Sequence, residues 1–185
     1  YRIPYIWNGD ASSPLYETIS KCDSEGPLVM CFSKVQKIDN RWIGTARIFS
    51  GTINKKKRIY LINAQEKSYI KQLNIFMGSR LENVESIPAG NIVAVGGIKE
   101  LRSGETIVEV SQSKSFTPFE SIKYVCEPVI TISVEPDMLK HLDGLEEVLE
   151  EIQIEDPNIS ISISKDTGEV LVSGMGPLHL EIISK

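Results

Sequence analysis

The chain has 185 residues, 41% hydrophobic and 24% charged, with a net charge of −5, a profile expected of a water-soluble globular protein with one large domain or two small ones. No apolar run approaches the ~18 residues that a membrane-spanning helix needs. The charge is divided unevenly: residues 26–123 hold 15 Lys and Arg against 8 Asp and Glu, whereas residues 124–185 hold 3 against 13, which admits a nucleic-acid partner for the first half only.

Residues 1–25 carry Pro4, Gly9, Ser12, Ser13 and Pro14 with little apolar periodicity, and read as a linker with one short helix near residues 15–19. From Leu28 the pattern changes to short runs rich in β-branched and aromatic residues. Residues 28–35, 43–49, 58–62, 68–76, 92–97 and 106–110 are expected strands, separated by turn signals such as Asp39-Asn40, Ser50-Gly51 and Ser103-Gly104. Six or more short strands without an intervening helix predict a closed antiparallel β-barrel over residues 26–123, since closure removes exposed edges.

The last third, residues 124–185, alternates strand and helix signals. Residues 128–135 read as a strand, and Leu142, Leu145, Val148, Leu149 and Ile152 fall at helical spacing. Glu146, Glu147, Glu150 and Glu151 fill the other face of that helix. Ile159, Ile161 and Ile163 alternate with serines, the signature of a half-exposed strand, and residues 169–173 form its hairpin partner. Pro177 suits the first turn of a second helix. The order β-α-β-β-α is that of a ferredoxin-like unit without its last strand. A first residue other than Met and a stop inside a helix are what a piece of a longer polypeptide would show.

Catalytic parts are missing. There is no G-x-x-x-x-G-K-[ST] phosphate loop and no G-x-S-x-G elbow, and neither His141 nor His179 has an evident nucleophile beside it in sequence. Cys22, Cys31 and Cys126 form no C-x-x-C pair, so the expectation is no metal, no cofactor and three reduced thiols. Lys55, Lys56, Lys57 and Arg58 make the strongest basic cluster. It is either a solvated hairpin turn whose charge discourages edge pairing or a contact for phosphates. Gly174, Met175 and Gly176 at a helix start either present free N–H groups or merely make a tight strand-to-helix turn. His179, in the first turn of that helix, is either an interdomain contact or a packed neutral imidazole.

Four motifs stand in a fixed order: Phe49-Ser50-Gly51-Thr52; Ile87-Pro88-Ala89-Gly90-Asn91-Ile92; Pro118-Phe119-Glu120-Ser121-Ile122; and Gly174-Met175-Gly176-Pro177-Leu178-His179-Leu180-Glu181. With the opening Tyr1-Arg2-Ile3-Pro4-Tyr5-Ile6-Trp7-Asn8-Gly9-Asp10, they resemble the translocation elongation factors, in the archaeal form of elongation factor 2. The resemblance implies a linker after an absent GTP-binding domain (1–25), a translation-factor β-barrel (26–123) and a ferredoxin-like third domain cut short (124–185). It further implies a cytoplasmic, monomeric translational GTPase that moves transfer RNA and messenger RNA on the ribosome. GTP and Mg2+ would be held outside this chain. Partners would be small-subunit ribosomal RNA and proteins, together with the parent's GTP-binding and later domains. Arg47, Ser50, Gly51, Thr52, Lys55, Lys56, Lys57 and Arg58 fall where the family approaches ribosomal RNA, and Gly174, Met175, Gly176 and His179 where it faces the GTP-binding domain. A stand-alone RNA-binding or scaffold module, and a release or ribosome-protection GTPase, are the alternatives. Pro177 stands where the family usually has Glu, and His141 where it usually has Asp.

Overall fold

Strands β1 (Val29–Ile38) and β2 (Arg41–Ser50) meet through Asp39 and Asn40, both in the left-handed region at φ 49° and 60°. Two successive residues of that kind make the tight turn whose twist matches a β-hairpin. The hairpin belongs to a computed structural model that describes residues 3–78, 80–98, 101–114, 116–120, 128–135, 142–164 and 169–184. Two units emerge, Tyr1–Ile122 and Lys123–Lys185.

In the first unit β3 (Thr52–Asn54), β4 (Arg58–Leu61), β5 (Glu66–Tyr69), β6 (Gln72–Met77), β7 (Arg80–Asn83), β8 (Ser86–Pro88), β9 (Ile92–Gly96) and β10 (Thr106–Glu109) follow the hairpin. The main sheet runs β5-β4-β10-β1-β2-β9-β6-β7, with antiparallel pairing throughout. It closes through the chain itself. β5 pairs with β4, continues through Ile70 and Lys71 into β6, and β6 pairs with β9. The run 68–76, expected as one strand, is therefore two, because its halves serve different partners. Inward residues such as Met30, Phe32, Ile48, Leu61, Leu73 and Ile107 are fully buried in the barrel. Burying each such side chain contributes about 1.5–3 kcal/mol.

The opening residues do not hang free. Helix α1 (Ile3–Ile6) and helix α2 (Pro14–Lys21) lie against the barrel, with Ser13 capping α2 through its Oγ on the Tyr16 N–H. Ile19, Val29, Val108, Phe116 and Phe119 form a second buried cluster outside the barrel, and Trp7 packs against it. The Trp7 ring meets Phe116 edge-on at 5.4 Å and Phe119 at 6.2 Å. Nearby, the Glu120 N–H donates to the Ile6 carbonyl at 2.8 Å. The opening motif and the Phe119 motif are thus two sides of one contact.

The second unit contains β11 (Ile130–Val134), α3 (Leu142–Glu155), β12 (Ser160–Ile163), β13 (Val170–Gly174) and α4 (Pro177–Ile183). Its sheet order is β11-β13-β12, all antiparallel. Leu149 of α3, Leu180 of α4, Val170 and Val172 of β13, and Ile159 form the core. The isoleucine alternation predicts one buried face, and burial fades along it: Ile159 is 3% exposed and Ile163 60%. His141, Cys126 and the turn at 166–168 lie outside the described residues.

Candidate functional site

Four of the eight residues expected to approach RNA follow one another along β2 and into β3, and three of them face inward. Arg47 is exposed, its guanidinium 5.7 Å from the Phe49 ring centre. Ser50 is fully buried, and its Oγ has no hydrogen-bond partner. Gly51 sits at φ 78°, where a Cβ would come within 2.7 Å of the Leu28 backbone. Only glycine fits such a position without strain. The Gly51 N–H donates to the Asp23 carbonyl at 2.7 Å, and Thr52 Oγ1 donates to the Ser24 carbonyl at 2.9 Å. Gly51 and Thr52 therefore clasp the chain entering the barrel, with Ser50 buried beside them. The motif at Ile87 also serves packing: the Gly90 N–H donates to the Ile48 carbonyl at 2.9 Å, and the Ile48 N–H to Asn91 at 3.0 Å.

The cationic turn between β3 and β4 is partly neutralised. Lys55 Nζ lies 2.6 Å from Glu85 Oε1, and Lys57 Nζ lies 3.3 Å from Glu109 Oε1 and also donates to the Thr52 carbonyl. Arg58 stacks over Tyr69 at 5.6 Å. Lys56 is exposed, at φ 63°, and its N–H donates to the Ile70 carbonyl at 2.8 Å. That bond brings the Lys56 backbone beside the Ile70–Lys71 bend, where β5 becomes β6.

A cleft of about 310 Å³ opens at the same bend, lined by Arg41, Trp42, Lys71, Gln72, Gly97 and Ile98. Arg41 and Lys71 are exposed and Trp42 half-buried, with Lys37 Nζ 5.8 Å from the indole centre. A half-buried indole beside exposed cations is a combination suited to contact a base and its phosphates, with Lys37 lying over the ring. By sequence, Arg41 and Lys71 are among the cations that could widen the lysine-rich patch, with Arg47, Lys67, Arg80 and Arg102, but nothing there places them, and Trp42 and Lys37 form no part of that reading. The available signal is Lys37, Arg41 and Trp42 flanking a two-residue turn.

Two buried groups are structural. Glu105, 2% exposed, accepts the Asn63 N–H at 2.8 Å and so anchors the β4–β5 turn. Burial pushes its carboxyl up from the usual range, against backbone donors at Asn63, Ala64 and Thr106 that pull it down. Burial, reinforced by Glu105, pushes the Cys31 thiol up to about 11, which leaves it protonated and unreactive at neutral pH. Among the described residues no group of three or more His, Cys, Asp and Glu gathers as metal ligands.

In the second unit the expected interdomain residues divide. Met175 is 39% exposed and Leu178 69%, while Gly174 is buried. The His179 side chain is 17% exposed and turned inward. Its Nδ1 accepts the Met175 N–H at 3.1 Å, and its Nε2 lies 2.8 Å from Asp156 Oδ2. A Cβ on Gly174 would sit 3.0 Å from Nδ1 and 2.9 Å from Leu180 Cδ2, so glycine leaves the ring its place. Asp156 Oδ1 accepts both the backbone N–H and the Nδ2 of Asn158, each at 2.9 Å. Burial pushes the Asp156 carboxyl up, but the bonds from Asn158 and His179 together hold it below the usual range.

Comparison with known proteins joins these two regions. Residues 43–108 match the family described as elongation factor Tu domain 2, and residues 125–185 that described as elongation factor G, domain III. The chain is 46% identical over 182 residues to elongation factor 2 of Aeropyrum pernix, 43% over 185 to that of Ignicoccus hospitalis, and 42% over 184 to that of Pyrococcus horikoshii. Each alignment covers 98% of this chain and 24% or 25% of the relative, so the chain spans about a quarter of the length of the curated relatives it matches.

Proposed function

We propose, from the premise that this chain belongs over 98% of its length to the elongation factor 2 family, that it supplies the ribosome contact of a translational GTPase that drives GTP-dependent movement of transfer RNA and messenger RNA. The observation that carries the ribosome contact is the cleft at the bend of the basic unit, which Arg41 and Lys71 line together with Trp42. Its partner is the phosphate backbone and unstacked bases of small-subunit ribosomal RNA. Arg47, Lys56 and Arg58 are further exposed cations of the basic unit, whereas Gly51 and Thr52 hold the barrel to its upstream segment. Met175 and Leu178 are the residues the second unit offers to a neighbouring domain, with Gly174, Gly176 and His179 shaping the turn that carries them. The chain acts as a cytoplasmic monomer and hydrolyses nothing itself. GTP and Mg2+ belong to the GTP-binding domain of the parent.

Binding to purified small ribosomal subunits across a salt series tests the reading. Affinity should fall with salt at a log–log slope of at least about 1.4–1.8, from Arg41 and Lys71 at about 0.7–0.9 per neutralised phosphate. Salt-independent binding, or none, would leave the stand-alone scaffold as the better description. Nucleotide should leave the melting temperature unchanged; a rise with GTP but not ATP would place a nucleotide site within this chain.

A further inference from the structure

We propose that Asp156 and His179 form a proton-sensitive clasp that positions the turn at residues 174–176, and with it the exposed Met175 and Leu178. His179 is the positioning residue. Because Nδ1 accepts the Met175 N–H, it carries no proton, and the neutral ring must hold its proton on Nε2, where it donates to Asp156 Oδ2. Asp156 in turn uses Oδ1 to fix Asn158 at the turn between α3 and β12. One imidazole thus ties the end of α3 to the start of α4 through two directed bonds. This explains why the motif needs Gly174, whose missing Cβ leaves room for the ring.

Both nitrogens being used makes the clasp sensitive to a proton. A proton added at Nδ1 would set that N–H against the Met175 N–H, donor against donor. The imidazolium keeps Asp156 as an ion pair and lets go of Met175. Among the described residues the charged group facing the ring is Asp156, from the α3–β12 turn. The β13–α4 turn contributes Gly174, Met175 and Gly176, none of them titratable, and Glu181 on α4 is exposed. Protonation therefore frees the turn while the anchor holds. The clasp lies wholly within residues 123–185, so it operates whether or not the barrel binds RNA.

Nitrogen–carbon correlation NMR of the imidazole, recorded on the full 185-residue chain, reads the tautomer directly. The expected result at mildly alkaline pH is the Nε2–H form with a protected Met175 amide. On acidification the Met175 protection factor, its exchange measured against the intrinsic rate at each pH, should fall about tenfold, the protection one hydrogen bond affords, where the ring's own signals report a second proton. An Nδ1–H ring, a tautomer mixture, or Met175 exchange indifferent to the ring would overturn the proposal. Asp156→Asn can accept on only one side-chain atom, so it should cost either the ring or the Asn158 bonds and disturb the tautomer. His179→Asn places an acceptor where Nδ1 stood and should restore Met175 protection relative to His179→Ala. Equal loss in both variants would mean the ring only fills space.

Discussion

The turn at residues 54–58 and the cleft beside Trp42 adjoin one bend of the barrel, yet their cations are differently placed. The turn is the densest positive run in the sequence, but Lys55 and Lys57 are paired with Glu85 and Glu109. The cleft draws its charge from Arg41 and Lys71, 30 positions apart in the sequence, which line it with the Trp42 ring. Charge counted along a chain is not charge available to a ligand. A phosphate approaching the turn must compete with carboxylates, while at the cleft it meets the exposed Arg41 and Lys71 beside Trp42. The exposed ion pairs themselves contribute at most about 1 kcal/mol each to folding. Their larger effect here is to mute the turn.

The strongest way to break this comparison is to remove the cleft cations. Arg41→Ala with Lys71→Ala should lower the salt slope for binding small ribosomal subunits by about 1.4–1.8. Lys55→Ala with Lys57→Ala, the same charge change, should lower it by less than half that. Equal losses would show that the turn and the cleft act alike. Next in size, Trp42→Leu should weaken RNA binding by about 1–3 kcal/mol, the worth of one stacked base, while leaving the salt slope unchanged. A changed slope with unchanged affinity in high salt would make the ring a spacer for the cations.

A smaller effect sharpens the contrast from the other side. Glu85→Ala with Glu109→Ala releases Lys55 and Lys57, and should steepen the salt slope and tighten binding. No gain would mean that the pairs are too loose to mute the turn. The smallest effect concerns stability and pH. A carboxyl whose folded pKa lies above its unfolded value gives stability that is present below the unfolded value and lost as pH rises through the folded one. Glu105 is shifted in that direction from 4.5, so its contribution to barrel stability should decline as pH rises above that value. Glu105→Gln should flatten this part of the melting-temperature profile.

The barrel is legible because its longer strands are short runs rich in β-branched and aromatic residues, bounded by turn signals. Residues 43–49 and 92–97 read as strands on that ground, and β2 and β9 pair there. Strands β3, β7 and β8 were not legible, since three or four residues such as Thr52-Ile53-Asn54 show no period and form only where a partner fixes them. Residues 1–25 read as a linker because their contacts are remote: Trp7 finds Phe116 and Phe119 more than a hundred positions away. The same distance problem hides the site. Glu85 and Glu109 lie 30 and 52 residues from the lysines they pair with, so no local reading of the cationic run could discount it. The motif at Ser50 was visible as a motif but not as a clasp, because its partners Asp23 and Ser24 lie in the apparent linker. In the second unit the element order followed from periodicity, while the inward turn of His179 depends on Asp156, 23 residues upstream.

The most direct measurement is ultraviolet crosslinking of the chain to small ribosomal subunits, with the joined peptides identified by mass spectrometry. The cleft predicts crosslinks to the peptide carrying Trp42, lost in the Arg41→Ala, Lys71→Ala double variant. Crosslinks confined to peptides carrying Tyr60 or Tyr69, next to the lysine-rich turn, with Trp42 unmodified, would contradict it.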